Sequence, residues 1–97
     1  MSESSTDIVR ARAWVSGRVQ GVAYRAFARR AAVQRGLTGG VRNLDDGRVE
    51  VEVEGPGHEV EAFIGTLRQG PSLARVADVQ IRWESPTGRD VDFAIWY

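Results

Sequence analysis

Residues 41–55 read VRNLDDGRVEVEVEG, and the fold follows from how this stretch is parsed. Asp45-Asp46-Gly47 is a turn sequence between two extended runs, Val41–Leu44 and Arg48–Glu54, so the segment predicts a β-hairpin. In the second arm Val49, Val51 and Val53 alternate with Glu50, Glu52 and Glu54. A period of two sends the valines to one face of a sheet and the glutamates to the other. Such a sheet is expected to be covered on one side and wet on the other, with helices supplying the cover.

Toward the N-terminus, Gly36 stops a segment in which Tyr24, Phe27, Ala28 and Ala31 recur at helical spacing. Arg29, Arg30 and Arg35 are read as lying toward the end of that helix, where the negative pole of its dipole suits cations. The helix is preceded by a glycine loop, GRVQG at 17–21, and by a strand in which Ala11, Ala13 and Val15 alternate with Arg10, Arg12 and Trp14. Toward the C-terminus, Gly55-Pro56-Gly57 breaks the hairpin strand. Val60, Phe63, Ile64 and Leu67 then form the apolar stripe of a second helix, which Gly70-Pro71 ends. Val79, Ile81 and Trp83 mark a further strand, Ser85–Gly88 a turn, and Phe93, Ile95 and Tyr97 a last alternating run.

The order is β-α-β-β-α-β with a short fifth C-terminal strand. It predicts an α+β, ferredoxin-like sandwich with two helices on one face of an antiparallel sheet. A chain of 97 residues has length for one hydrophobic core and not two. The expected organisation is a flexible polar tail over 1–8 and one domain over 9–97.

Composition excludes several chemistries. There is no Cys, which removes a disulfide scaffold, a zinc ribbon, an iron–sulfur cluster and a thiol nucleophile, and the single His leaves little for a transition metal. The opening MSESSTDIVR lacks the features of a secretory leader, and no apolar run reaches the roughly 20 residues that span a bilayer. A cytoplasmic location is expected. Thirteen basic and thirteen acidic residues give a net charge of zero, so the whole chain favours neither a polyanion nor an anionic membrane. All thirteen cations are Arg. Each is therefore a planar, permanently charged fork able to bind phosphate in bidentate fashion.

Candidate chemistry lies in VQGVAYR, residues 19–25, between the first strand and the first helix. A glycine-punctuated turn feeding a helix N-terminus offers free N–H groups and a positive dipole end to an anion, although the glycines alone would also serve a tight turn. Arg25 adds weight to the anion. It falls in the first helical turn, where a cation opposes the dipole, and of the thirteen arginines it alone is expected to lack a helical or cross-strand reason for its position.

VQGVAYR, GLTGGVRNLDDGRVEVEVEG at 36–55 and the closing FAIWY together resemble the acylphosphatases, enzymes that hydrolyse the mixed anhydride of a carboxylic acid and phosphoric acid. The resemblance runs from about Val9 to Tyr97. It implies that Arg25 binds the substrate phosphate, that the backbone N–H groups of Gln20, Gly21, Val22, Ala23 and Tyr24 complete the cradle, and that Asn43 holds the attacking water. It also implies no cofactor and no metal, a small acyl phosphate as partner, no nucleic acid or membrane partner, and action as a monomer. The chemistry is compatible with these residue types. Asn43 offers both a donor and an acceptor without being a strong base, and a carboxyl phosphate already carries a good leaving group. On spacing alone, Asn43 could equally cap the hairpin turn.

Three positions depart from the family pattern. Tyr24 stands where Phe is usual, adding a hydroxyl that needs a partner. Gly40 takes a position often aromatic, which is expected to widen the wall near the site, and Trp96 replaces a basic residue. Two other readings are open to this fold: an RNA-binding module, and a catalytically silent acylphosphatase-like domain that senses ligands or binds partners. The first needs exposed aromatics and a positive field on the open sheet face, where this chain places three glutamates that Arg10 and Arg12 could pair. Retention of Arg25 and Asn43 opposes the second. Asp45 and Asp46 are read as turn residues and His58 as a surface residue.

Overall fold

The computed structural model describes residues 7–97. Residues 1–6 of the expected tail lie outside the described residues. The elements are β1 (Ile8–Arg18), α1 (Tyr24–Gln34), β2 (Thr38–Asn43), β3 (Val49–Pro56), α2 (Gly57–Gln69), β4 (Arg75–Glu84) and β5 (Phe93–Ile95). β1 begins one residue before the expected boundary, and the Asp7 carbonyl already accepts a hydrogen bond from the Gly57 N–H at 2.9 Å.

The strands lie in the order β4-β1-β3-β2-β5. β1 runs antiparallel to both β3 and β4, and β2 antiparallel to β3. The fully antiparallel sheet expected from the sequence fails at β5, which pairs parallel to β2 through Gly39–Phe93, Gly40–Ala94 and Val41–Ile95. The cause is the route of the chain. β4 occupies one edge, so residues 85–92 cross the sheet to the opposite edge and deliver β5 running in the direction of β2.

Ala11, Ala13, Val15, Val49, Val51 and Val53 are fully buried, as their alternation predicts, and α2 covers them with Val60, Phe63, Ile64 and Leu67. α1 is rotated from its expected phase. It buries Tyr24, Ala28 and Ala32, while Phe27 and Ala31 stay half-buried. Tyr24 explains the rotation, because its hydroxyl donates to the Leu67 carbonyl of α2 at 2.7 Å and its ring is enclosed between the helices. The two alanines then let α1 lie close to the sheet. At its other end the Leu37 N–H reaches the Ala32 carbonyl at 3.0 Å and the Gly36 N–H the Val33 carbonyl at 3.1 Å, with Gly36 at φ 69°. This is the left-handed cap that Gly36 predicts. Arg29 and Arg30, however, fall in mid-helix, and the last turn of α1 holds no basic residue.

The outer face of the sheet is not wet. Glu50, Glu52 and Glu54 are 7–8% exposed and Arg10 is 1% exposed. Strand register places Arg10 opposite Glu54 and Arg12 opposite Glu52. Arg10 donates to Glu52, Glu54 and Asp90, Arg12 to Glu52 and Glu84, and Arg42 to Glu50. The crossing segment adds the N–H groups of Thr87 and Gly88 to Glu54 at 2.9 and 2.8 Å. Guanidinium and backbone donors thus replace solvent. Burial works against charge on Glu52, but the hydrogen bond from Arg10 and the charges of Arg12 and Arg10 outweigh it and hold the carboxyl below its ordinary range. Glu54 is lowered likewise, burial again opposing, chiefly by Thr87 and Gly88 N–H.

Gly40 lies on this face, and a Cβ there would overlap the six-membered part of the Trp96 indole. The wall expected to be widened at Gly40 is therefore filled by Trp96. Gly40 and Trp96 thus form one packed pair, the ring supplied from beyond β5 filling the space beside β2 that a side chain at position 40 would take.

Candidate functional site

β1 shifts its register against β4 between Ser16 and Gly17, pairs on as far as Arg18, and the chain then turns away into residues 19–23. This loop ends in strain. Ala23 is the one described non-glycine residue at positive φ (63°), and it is the N-cap of α1. A left-handed alanine costs on the order of 1 kcal/mol, and its side chain has no oxygen with which to cap the helix. α1 therefore starts without a side-chain cap and without an acidic residue in its first turn. The first hydrogen bond that closes onto the loop is Phe27 N–H to the Ala23 carbonyl at 3.1 Å. The amides of Tyr24, Arg25 and Ala26 are left to an outside acceptor, with the positive pole of the helix dipole behind them.

The loop is fastened to the hairpin by one side chain. Gln20 Nε2 donates to the Leu44 carbonyl at 2.8 Å and to the Arg48 carbonyl at 2.9 Å, the two residues that flank the turn after Asn43. The turn itself is capped by Asp46, which accepts from the Arg48 N–H at 3.0 Å and from its Nε at 2.9 Å. Bonding to the Arg48 backbone leads the effects that lower the Asp46 pKa. Asn43 is thus not needed as the turn cap, and its exposed amide points to no hydrogen-bond partner among the described residues.

Arg25 and Asn43, 18 positions apart in sequence, line a single hollow of about 190 Å³ together with Gly21, Ala23, Ile95 and Tyr97. Sites for drug-sized ligands run to about 300–1,000 Å³, so this one suits a small anion with a short substituent. Among the described residues Arg25 has no ion pair; its guanidinium carbon lies 5.4 Å from the centre of the exposed Tyr97 ring. Of the five residues expected to form the cradle, Gly21, Ala23 and Tyr24 line the hollow. The Gln20 side chain reaches the hairpin and Val22 is buried, so these two contribute to the loop through the backbone alone. Tyr24 meets its need for a partner at Leu67, and burial pushes its phenol pKa upward. His58 is on the surface, beside Glu59. The fastening role of Gln20, the left-handed Ala23 and the walls formed by Ile95 and Tyr97 are absent from the sequence reading. Only Gln20 carried a signal, a long polar side chain in an otherwise small-residue loop.

An acylphosphatase family model matches residues 11–95. The acylphosphatase of Roseiflexus sp. is 49% identical over 92% of this chain and 96% of its own, and that of Thermus thermophilus is 54% identical over 78% of this chain and 86% of its own. In three dimensions the crystal structure of Bacillus subtilis acylphosphatase superposes with a TM-score of 0.89 at 36% identity, covering 92% of this chain and 99% of that one. Among the described residues no helix is long and apolar enough to cross a membrane. Sequence and architecture converge on one assignment, and the chain belongs to the acylphosphatase family.

Proposed function

We propose that this acylphosphatase hydrolyses carboxyl phosphates by holding the phosphate between the Arg25 guanidinium and the backbone N–H groups of the 20–24 loop and the start of α1, while Asn43 orients the attacking water. One observation carries the reading: Arg25 and Asn43 line the same small hollow, over amides that no side chain caps. The water oxygen forms a bond to phosphorus as the bond from phosphorus to the acyl oxygen breaks. The carboxylate departs with the bonding pair and needs no proton, and the proton of the water passes to a phosphate oxygen. Charge on the phosphoryl oxygens meets a fixed guanidinium and fixed N–H dipoles, so positioning and electrostatics suffice. Arg25, Asn43 and the amides come from one chain, which supports a monomer as the working unit. A chain without cysteine suits a cytoplasmic setting.

Hydrolysis of benzoyl phosphate in excess chelator tests the reading. Arg25→Lys keeps the charge and loses the fork, and turnover should drop by about 10²–10³, the range for loss of one fixed oxyanion donor. Asn43→Ala should lower turnover while inorganic phosphate still inhibits as in the wild type. Equal weakening of phosphate inhibition in both variants would refute the division of roles, and absence of turnover in the wild type would favour the silent domain.

A further inference from the structure

Charge in this molecule is segregated. The acids of the outer sheet face are paired with Arg10, Arg12, Arg42, Arg82 and Arg89, and elsewhere Arg35 pairs with Glu59 and Arg48 with Asp46. α1 is different. Its sequence, YRAFARRAAVQ, holds three arginines and no acid. Among the described residues none of Arg25, Arg29 and Arg30 has an ion pair. Arg25 and Arg29 stand four residues apart, the spacing at which like charges on a helix repel. Arg29 and Arg30 lie too far from the helix end for the dipole to account for them.

Arg29 and Arg30 line a second hollow of about 270 Å³ between α1 and β5, whose apolar walls include Ala26, Val33 and Ile95. Ala26 and Ile95 also line the hollow that holds Arg25 and Asn43, so the two are successive parts of one groove. Arg29 is one helical turn beyond Arg25, about 6 Å along the axis. The groove therefore runs from a cradle for one anion, over an apolar floor, to two unpaired guanidinium groups.

We infer that this groove takes the acyl arm of the substrate, and that Arg29 and Arg30 select acyl phosphates whose acyl chain carries a second anionic group, a carboxylate or a phosphate, at its far end. The inference rests on the reading that the first phosphate sits at Arg25. Ala26, Val33 and Ile95 would meet the methylene groups between the two charges. An acyl group with a neutral end would leave both guanidinium groups unanswered.

Stable phosphonates provide the test, with benzoyl phosphate hydrolysis as the reporter. The inhibition constant of 4-phosphonobutyrate is compared with that of butylphosphonate, which lacks the second anion, and with that of propane-1,3-diylbisphosphonate. In the wild type at low salt the doubly functional probes should bind about fivefold more tightly, the scale of a solvent-exposed ion pair. The better of the two identifies the second anion as carboxylate or phosphate. In Arg29→Gln/Arg30→Gln the ratio to butylphosphonate should fall to one, and in Arg29→Glu/Arg30→Glu below one. As a ratio within one protein, it is insensitive to a general loss of activity. A wild-type ratio near one, or a ratio kept in Arg29→Gln/Arg30→Gln, overturns the inference while leaving phosphate binding at Arg25 intact. If benzoyl phosphate is not turned over, the reading of the site itself fails, and calorimetric titration of the same phosphonates still decides the selectivity.

Discussion

Gln20→Ala is the substitution that best separates assembly of the site from binding within it. The side chain makes two hydrogen bonds, at 2.8 and 2.9 Å, to carbonyls on either side of the β2–β3 turn. Each carbonyl retains a backbone donor, since Leu44 also accepts from Gly47 N–H at 3.2 Å and Arg48 from Leu44 N–H at 2.8 Å. No buried acceptor is orphaned, so the loss is about 1 kcal/mol per bond and about 2 kcal/mol in all. What this energy maintains is the distance between the loop that leads to Arg25 and the strand end that carries Asn43. The phosphate ligands all sit on one side of the fastening and the water-holding amide on the other. If the whole 2 kcal/mol is felt at the transition state, kcat falls by about 30-fold. The KM for benzoyl phosphate and inhibition by inorganic phosphate should change by less than about threefold, because Arg25 and the α1 amides move together. Steady-state hydrolysis of benzoyl phosphate, phosphate inhibition and urea unfolding of the same variant measure the three quantities. A variant with unchanged kcat, or one whose loss lies mainly in phosphate affinity, would refute the fastening role.

The Gly40–Trp96 pair predicts a rescue: Gly40→Ala should destabilise the protein by roughly 1–3 kcal/mol through overpacking and cost much less in a Trp96→Ala background, as a double-mutant cycle by urea denaturation would show. Additive effects would mean that the ring yields freely. Arg10→Met should cost about 3–5 kcal/mol, because it leaves Glu52 and Glu54 buried without their shared guanidinium, and a melting temperature equal to wild type would contradict the account of the outer face. Acid should unfold the protein through the same groups. The folded-state pKa values of Glu52, Glu54 and Glu84 are depressed, so their contribution is present above the ordinary glutamate value and disappears as pH falls through the lower folded values. Stability measured against pH should thus decline below about pH 4.3, and a flat profile down to pH 2 would show that the ion pairs of these glutamates contribute nothing to it.

Most of the sheet was legible in the sequence because its code is local. The Val/Glu alternation of β3 and the Ala/Arg alternation of β1 identify which residues face the core, and the Asp-Asp-Gly turn fixes one register. Cross-strand pairing of Arg10 and Arg12 with glutamates was legible for the same reason. The partner of β5 was not, because three residues carry almost no periodic signal and the choice of edge is made by the route of residues 85–92. The phase of α1 was misread because alanine is nearly silent: Ala28, Ala31 and Ala32 differ in burial only through where the Tyr24 hydroxyl finds its acceptor. At the site, Arg25 and Asn43 stood out through motif and residue type. Ala23 gave no sign of its left-handed backbone, and the charge on Arg29 and Arg30 was assigned to a helix end that lies further on.

The segment that crosses the outer face runs without interruption into β5. Thr87 and Gly88 are held by Glu54 on the side of the sheet away from the helices, and a few residues later Ile95 and Tyr97 wall the hollow beside Arg25. In hydrogen exchange these residues are expected to open as one unit, with protection set by a carboxylate remote from the reacting atoms. Amides of Phe93 to Ile95 should exchange by a partial opening that Glu54→Gln accelerates, while those of β1 and β3 exchange only on global unfolding. That outcome would mean that the groove's wall can be loosened from the back of the sheet, without altering any residue that lines the groove.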